Sequence, residues 1–406
     1  MMYKRFFRLF LLLSISSSAL ADMREWTGAN GAKIQAEYVS TSGNQVTLKL
    51  KGGKIVTFGM DKLSPEDLAY VQAASKVSAE NQRRGATLDV KSNFSAKWPS
   101  SSTPDERTPP KLVSEEDGEY VYETAHFRFH SNAKLSVDVI RSVGRLFEGT
   151  YSANQDIPFN NPCRYHGEGQ KKYDAYLYET KEQYIEAGGP PPSAGVFQGG
   201  GPHGAMGRIL VPFDSLALVK KGANYVVAGK RDYGTLIHEI THQMSIGSYQ
   251  YPGWFVEGLA EYVSISSSPS FNGTFGFASN KSALLERCIE LPKRPGPAKG
   301  RFLGKTPKVG PLETFMKKAY QESFMHPDDN VKQLYYGFSP MLLYYFAHVD
   351  GKGDAARIKK FVKAIQDGEG EEKAYEYLLD GRTWDKLQKD VTAGMKRIGG
   401  VTPDFS

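Results

Sequence analysis

The stretch "GTLIHEITHQ", residues 234–243, sets two histidines four positions apart, with a glutamate directly after the first. The run "YGTLI" suits an apolar helix, in which Thr235 caps the start or lies just inside it. Positions i and i+4 share one helix face, so His238 and His242 can aim their imidazoles at one point. Zinc takes nitrogen ligands at about 2.0–2.1 Å in a tetrahedral array, and such a pair supplies half of the set. Glu239 is rotated off that face, where metallopeptidases carry their general base beside the metal rather than on it. The competing reading is a pair of hydrogen-bonded surface histidines, and a third ligand decides between the two.

A third ligand is offered by "PGWFVEGLAEY", residues 252–262. Glu257 follows His242 by fifteen residues, and Pro252-Gly253 marks a turn from which a second helix, starting near Trp254, can return toward the first. Glu257 and Glu261 are again four apart. One carboxylate can ligate a metal while the other accepts the ring N–H of a ligating histidine, fixing its tautomer and raising its basicity. Paired acids on a helix usually face solvent, but Trp254, Phe255, Leu259 and Tyr262 around them read as buried packing.

"HEITH" followed by "WFVEGLAEY" resembles the signature of the gluzincin metallopeptidases. The resemblance implies that His238, His242 and Glu257 hold one zinc ion and that Glu239 is the catalytic base. "ETAHFRFHS", "ITHQM", "PGWFVEGLAEYV" and "LYYGFSPMLLYYF" together resemble a peptidase-MA-like domain family of unknown function, over roughly residues 118–395. Tyr336 matches the tyrosine position of that pattern, which implies a donor to the developing oxyanion, with Tyr335 and His326 as substitutes. The spacing from His242 to Glu257 is shorter than in the aminopeptidase branch. The chain also lacks that branch's Gly-x-Met-Glu-Asn stretch, and no third histidine follows at metzincin spacing. These departures argue against an aminopeptidase. "GRILVPF" (207–213) reads either as an edge strand that aligns an extended peptide or as an ordinary strand beneath a glycine-rich loop, with His203 of that loop at the surface.

The flanks complete the plan. Residues 1–21 carry Lys4, Arg5 and Arg8, an apolar run and Ala19-Leu20-Ala21, the pattern of a cleaved secretory signal. The expected location is periplasmic or extracellular, with no integral membrane segment after cleavage. Runs at 32–39, 44–50 and 54–60 read as strands, and "LSPEDLAYV" opens a helix with a Ser64/Asp67 capping pattern and Pro65 at its first position. Residues 24–71, from Trp26 to "KLSPEDLAYV", resemble the Sla-one homology domain, an SH3-like barrel. That resemblance implies a docking module for a protein or cell-envelope partner. Residues 76–115, rich in Ser and Pro, read as a linker in which Trp98 stands out, either a plug over the site or a free tether. The expected boundaries are a signal at 1–21, a module at 22–75, a linker at 76–115 and a peptidase domain at 116–400.

Within the last region, 118–131 reads as a strand, 134–154 as a helix, 171–189 as a strand and short helix, and the chain beyond 311 as mostly helical with a break at 350–354. The fold class is therefore α+β: a small SH3-like β-barrel, a linker, then a zincin-like domain with a mixed sheet, active-site helices and a helical C-terminal part. Cys163 and Cys288 can pair in an exported protein. The net charge of +6 falls to +3 without the signal, which holds three basic and no acidic residues. That is too small to indicate a nucleic-acid partner. The function expected is an exported zinc peptidase acting on a peptide or protein substrate. The rivals are a secreted binding protein with a catalytically idle zincin domain, and a zinc hydrolase of a cell-wall bond.

Overall fold

The structure is a computed structural model. It describes residues 24–42, 45–50, 54–71, 92–104, 108–159, 172–199, 207–229, 232–245, 251–267, 273–277, 279–290 and 301–406. The expected signal, His203 and Cys163 lie outside these residues. The described residues fall into two compact units, 24–71 and 92–406.

The first unit is an antiparallel meander of β1 (Arg24–Thr27), β2 (Lys33–Ser42), β3 (Gln45–Leu50) and β4 (Ile55–Gly59), paired in chain order. Residues 65–71 form helix α1. Trp26, Ala36, Val46, Leu48, Leu63 and Val71 make its core, and the Trp26 indole N–H donates to Ala36 O at 2.9 Å. Ser64 caps α1 as expected, its hydroxyl accepting from the Asp67 amide at 3.2 Å. The Asp67 carboxylate does not return the bond to Ser64 N. It accepts from Thr27 N and from Arg24 Nη2 (2.6 Å), tying the helix to β1.

The second unit is built on a mixed six-stranded sheet of order β5-β6-β7-β8-β10-β9. Its strands are β5 (Lys111–Glu116), β6 (Glu119–Glu123), β7 (Phe127–Ser131), β8 (Tyr173–Tyr178), β9 (Val196–Gln198) and β10 (Arg208–Pro212). Pairing is parallel for β7/β8 and β8/β10 and antiparallel elsewhere. Side chains alternate across a strand, so Phe127 and Phe129 of β7 and Tyr173, Ala175 and Leu177 of β8 point into the core. Helix α2 (Val137–Asp156), capped by Ser136, lays Val139, Ile140, Val143, Leu146 and Phe147 into that core. Helix α3 (Lys181–Glu186) and a hairpin of β11 (Leu218–Lys221) and β12 (Asn224–Val227) complete the sheet region.

Among the described residues nine helices follow: α4 (Gly234–Ser245), α5 (Gly253–Ser266), α6 (Lys281–Cys288), α7 (Leu312–Lys317), α8 (Tyr320–Ser323), α9 (Asp329–His348), α10 (Ala356–Gln366), α11 (Glu371–Leu379) and α12 (Trp384–Gly399). No helix among the described residues is long and apolar enough to cross a membrane.

Three expectations need correction. Residues 118–131 form two antiparallel strands, because the chain turns at Thr124–His126, where Glu148 of α2 accepts from the Thr124 hydroxyl and the His126 amide. The 207–213 strand is not at the edge. β10 lies between β8 and β9, and the short β9 takes the edge. The described part of the expected linker belongs to the second unit. β5 pairs with β6, Ser102 and Phe275 exchange both backbone bonds at 2.9 Å, and Trp98 packs against Phe159, Tyr262 and His348 with its N–H on the Tyr262 hydroxyl (2.9 Å). Ser/Pro-rich composition suggests a tether, but one half-buried indole, packed on three rings with its N–H bonded, outweighs it.

Candidate metal centre

Helices α4 and α5 lie against each other and deliver the site. Asp232 Oδ1 accepts from Gly234 N at 2.9 Å, and Thr235 lies just inside α4. Pro252 precedes the first residue of α5, which is buried along almost its whole length between α4 and α9. Gly258 permits that depth: a Cβ there would stand 2.9 Å from Ser339 O of α9, closer than a side chain tolerates.

His238, His242 and Glu257 converge at 8%, 6% and 1% exposure. His238 Nε2 lies 3.1 Å and His242 Nε2 3.3 Å from Glu257 Oε2, and the two Nε2 atoms are 2.9 Å apart. Two donors at zinc's bond length and the tetrahedral angle lie about 3.3 Å apart, so the three atoms are spaced as donors to one small ion. Glu257 Oε2 is buried and has no well-directed hydrogen bond. A buried carboxylate oxygen aimed at two imidazole nitrogens without a donor is what a cation-binding oxygen looks like before the cation is counted. The donor set, two imidazoles and one carboxylate, fits a zinc ion.

The electrostatics agree. Burial depresses the His238 imidazolium, but the Glu257 carboxylate, with Glu261 and Glu239 behind it, outweighs burial and raises the group to about 9. Burial pushes the Glu257 carboxyl up, while His242 and His238 hold it well below the usual carboxylate range. The cluster is thus built to keep compensating positive charge beside a buried carboxylate.

Glu239 is half-buried beside this cluster, and its Oε2 accepts from the Phe197 amide of β9 at 2.9 Å. Glu261 Oε1 is 3.8 Å from His238 Nδ1, beyond direct hydrogen bonding. Its oxygens are instead held by Arg301 Nη2 at 2.7 Å and Arg287 Nε at 3.2 Å, which keep the carboxyl below its ordinary range against burial.

The Tyr336 ring of α9 is 6.2 Å from the His238 ring, with the Arg301 guanidinium 4.7 Å over its face. Burial, then the Glu257 charge, pushes its phenol up, so it stays protonated and able to donate. The two substitutes sit elsewhere. Tyr335 stacks on Phe315 at 4.3 Å, and His326 Nδ1 accepts from Asp328 N in the turn before α9.

Sequence reasoning missed four partners. Tyr320 of α8 donates to Glu257 Oε1 at 2.6 Å, Arg287 and Arg301 flank Glu261, and the Phe197 amide meets Glu239. A backbone amide leaves no mark in a sequence, and Tyr320 is one of twenty-three tyrosines.

No curated protein matches the chain. Residues 15–79 match the family model of SLA1 homology domain 1, and the N-terminal strands and helix α1 form an SH3-like module of that kind.

Proposed function

We propose that the chain is an exported zinc-dependent peptidase of the gluzincin type, with His238, His242 and Glu257 as the metal ligands. The observation that carries the reading is the meeting of these three buried donor atoms within ligand spacing, with Glu239 beside them committing only Oε2 among the described residues. A zinc ion held there supplies Lewis acidity, polarising a carbonyl and acidifying a water.

The chain's own residues do the rest. Glu239 keeps Oε2 on the Phe197 amide, which leaves Oε1 to take a proton from the attacking water and pass it to the leaving amine. Tyr336 offers its phenolic O–H to the developing oxyanion. Glu261, anchored by its two arginines, faces the second ring nitrogen of His238 and favours one orientation of that ring. β9, at the sheet edge and in contact with the base, is the strand along which an extended peptide can be aligned by main-chain bonds. Export rests on the signal pattern of residues 1–21, and the SH3-like module is read as the docking part.

A fluorogenic peptide library tests this reading. Purified protein is expected to cleave members of the library, to stop in the presence of a metal chelator, and to recover with added zinc. Cleavage that persists unchanged in chelator, or no cleavage of any member, contradicts the proposal.

A further inference from the structure

The structure assigns Tyr320 as a positioning residue of the metal centre: its phenol ties down one oxygen of Glu257, so that the other oxygen alone faces the two imidazoles. The inference rests on the metal-ligand reading above and deepens it. Glu257 is a buried carboxylate whose two oxygens have different surroundings. Oε1 accepts the Tyr320 hydroxyl at 2.6 Å, while Oε2 stands 3.1 and 3.3 Å from His238 and His242 Nε2 without a well-directed hydrogen bond. A carboxylate on a helix can present both oxygens to a cation or only one. A strong hydrogen bond to Oε1 selects the one-oxygen mode and leaves room at the ion for water and substrate.

The phenol is held for this role. The Tyr320 ring stacks on Phe324 at 5.4 Å, and the α8 turn is stitched by the Ser323 hydroxyl to Ala319 O at 2.8 Å. Across from the ring, the first residue of α5 is Gly253. A Cβ at that position would stand 3.2 Å from the Tyr320 ring and 3.1 Å from Phe324, so the start of α5 leaves space for both rings. The same α5 carries Glu257 one turn later, so donor and acceptor are fixed on surfaces that touch.

The test is a double-mutant cycle on zinc affinity, measured by competition with a chromogenic chelator on purified wild type, Tyr320→Phe, Glu257→Gln and the double variant. Tyr320→Phe is expected to bind zinc about 10–100-fold more weakly than wild type. In the Glu257→Gln background it should cost little more, because the hydroxyl acts through the carboxylate. Metal-free Tyr320→Phe is expected to melt below wild type, because buried Glu257 Oε1 loses its donor, so zinc affinity is compared at a temperature where circular dichroism shows both proteins folded. Equal zinc affinity in wild type and Tyr320→Phe, or the same fold loss in both backgrounds, overturns the inference and leaves the ligand set standing. A wild type that binds no zinc overturns the ligand set itself, and the inference with it. Should Tyr320→Phe fail to fold, Gly253→Ala serves, since its methyl group crowds the phenol from α5 without touching a ligand. Weaker zinc binding then supports the assignment, and wild-type binding overturns it.

Discussion

Glu239→Gln is expected to lower kcat/KM for peptide hydrolysis by about 10²–10⁴-fold while leaving zinc content unchanged. The substitution keeps the size of the side chain and removes its ability to take a proton. It also keeps the local structure, because the amide oxygen of glutamine can still accept the Phe197 N–H that Glu239 Oε2 accepts at 2.9 Å. β9 therefore has no reason to move, and His238 and His242 lose no ligand atom. A quenched fluorescent substrate and a metal analysis on the same preparation check both halves. Activity near wild type would remove Glu239 from the base role. Loss of zinc together with activity would show that the residue supports the ligands instead.

Asp350→Ala is expected to destabilise the second unit by about 3 kcal/mol. Asp350 follows α9 and is 6% exposed. Its carboxylate accepts from Arg357 Nη1 at 3.0 Å and from Arg382 at 2.9 and 3.2 Å, with the Tyr345 hydroxyl at 3.3 Å. Removing it leaves two guanidinium groups short of an acceptor in a mostly buried setting. Arg357 retains Asp380 at 3.1 Å and Arg382 retains Asp390 at 3.4 Å, which holds the loss to the lower end of the range for a broken buried pair. The carboxylate thus joins the end of α9 to α10 and to the turn before α12, and α9 is the helix that carries Tyr336 beside His238 of the candidate metal centre. Urea unfolding of wild type and variant measures the difference, and a change below about 0.5 kcal/mol, the scatter of ordinary surface substitutions, would show that the network does not bear on stability.

The clustered residues of the candidate site were legible because their pattern is local. His238, Glu239 and His242 lie within five positions on one helix, and Glu257 and Glu261 are one turn apart on the next, so helix periodicity alone sets which side chains share a face. Partial strand alternation likewise marked the meander of the first unit, and the run beyond residue 311 read as helical. What the sequence hid was non-local. Whether β10 or β9 holds the sheet edge depends on strand order, which no periodicity encodes. The turn that splits 118–131 is fixed by Glu148, which lies on the next helix. Trp98 looked stranded in a polar stretch because its partners, Phe159, Tyr262 and His348, are 61 to 250 positions away. His348 belongs to that packing: burial pushes its imidazole down to about 4, and its Nε2 shares a hydrogen bond with the Tyr262 hydroxyl at 2.7 Å. Glu261 was read as a direct acceptor for a ligating histidine, whereas two arginines brought in from residues 287 and 301 take its oxygens.

The most direct test is the metal content of purified protein, set beside that of the His238→Ala variant. The expected result is about one zinc per chain in wild type and none retained in the variant, because a single imidazole and one carboxylate cannot hold the ion against dilution. Wild-type protein that folds, cleaves peptides and carries no zinc, or a variant that keeps its full complement, would contradict the account.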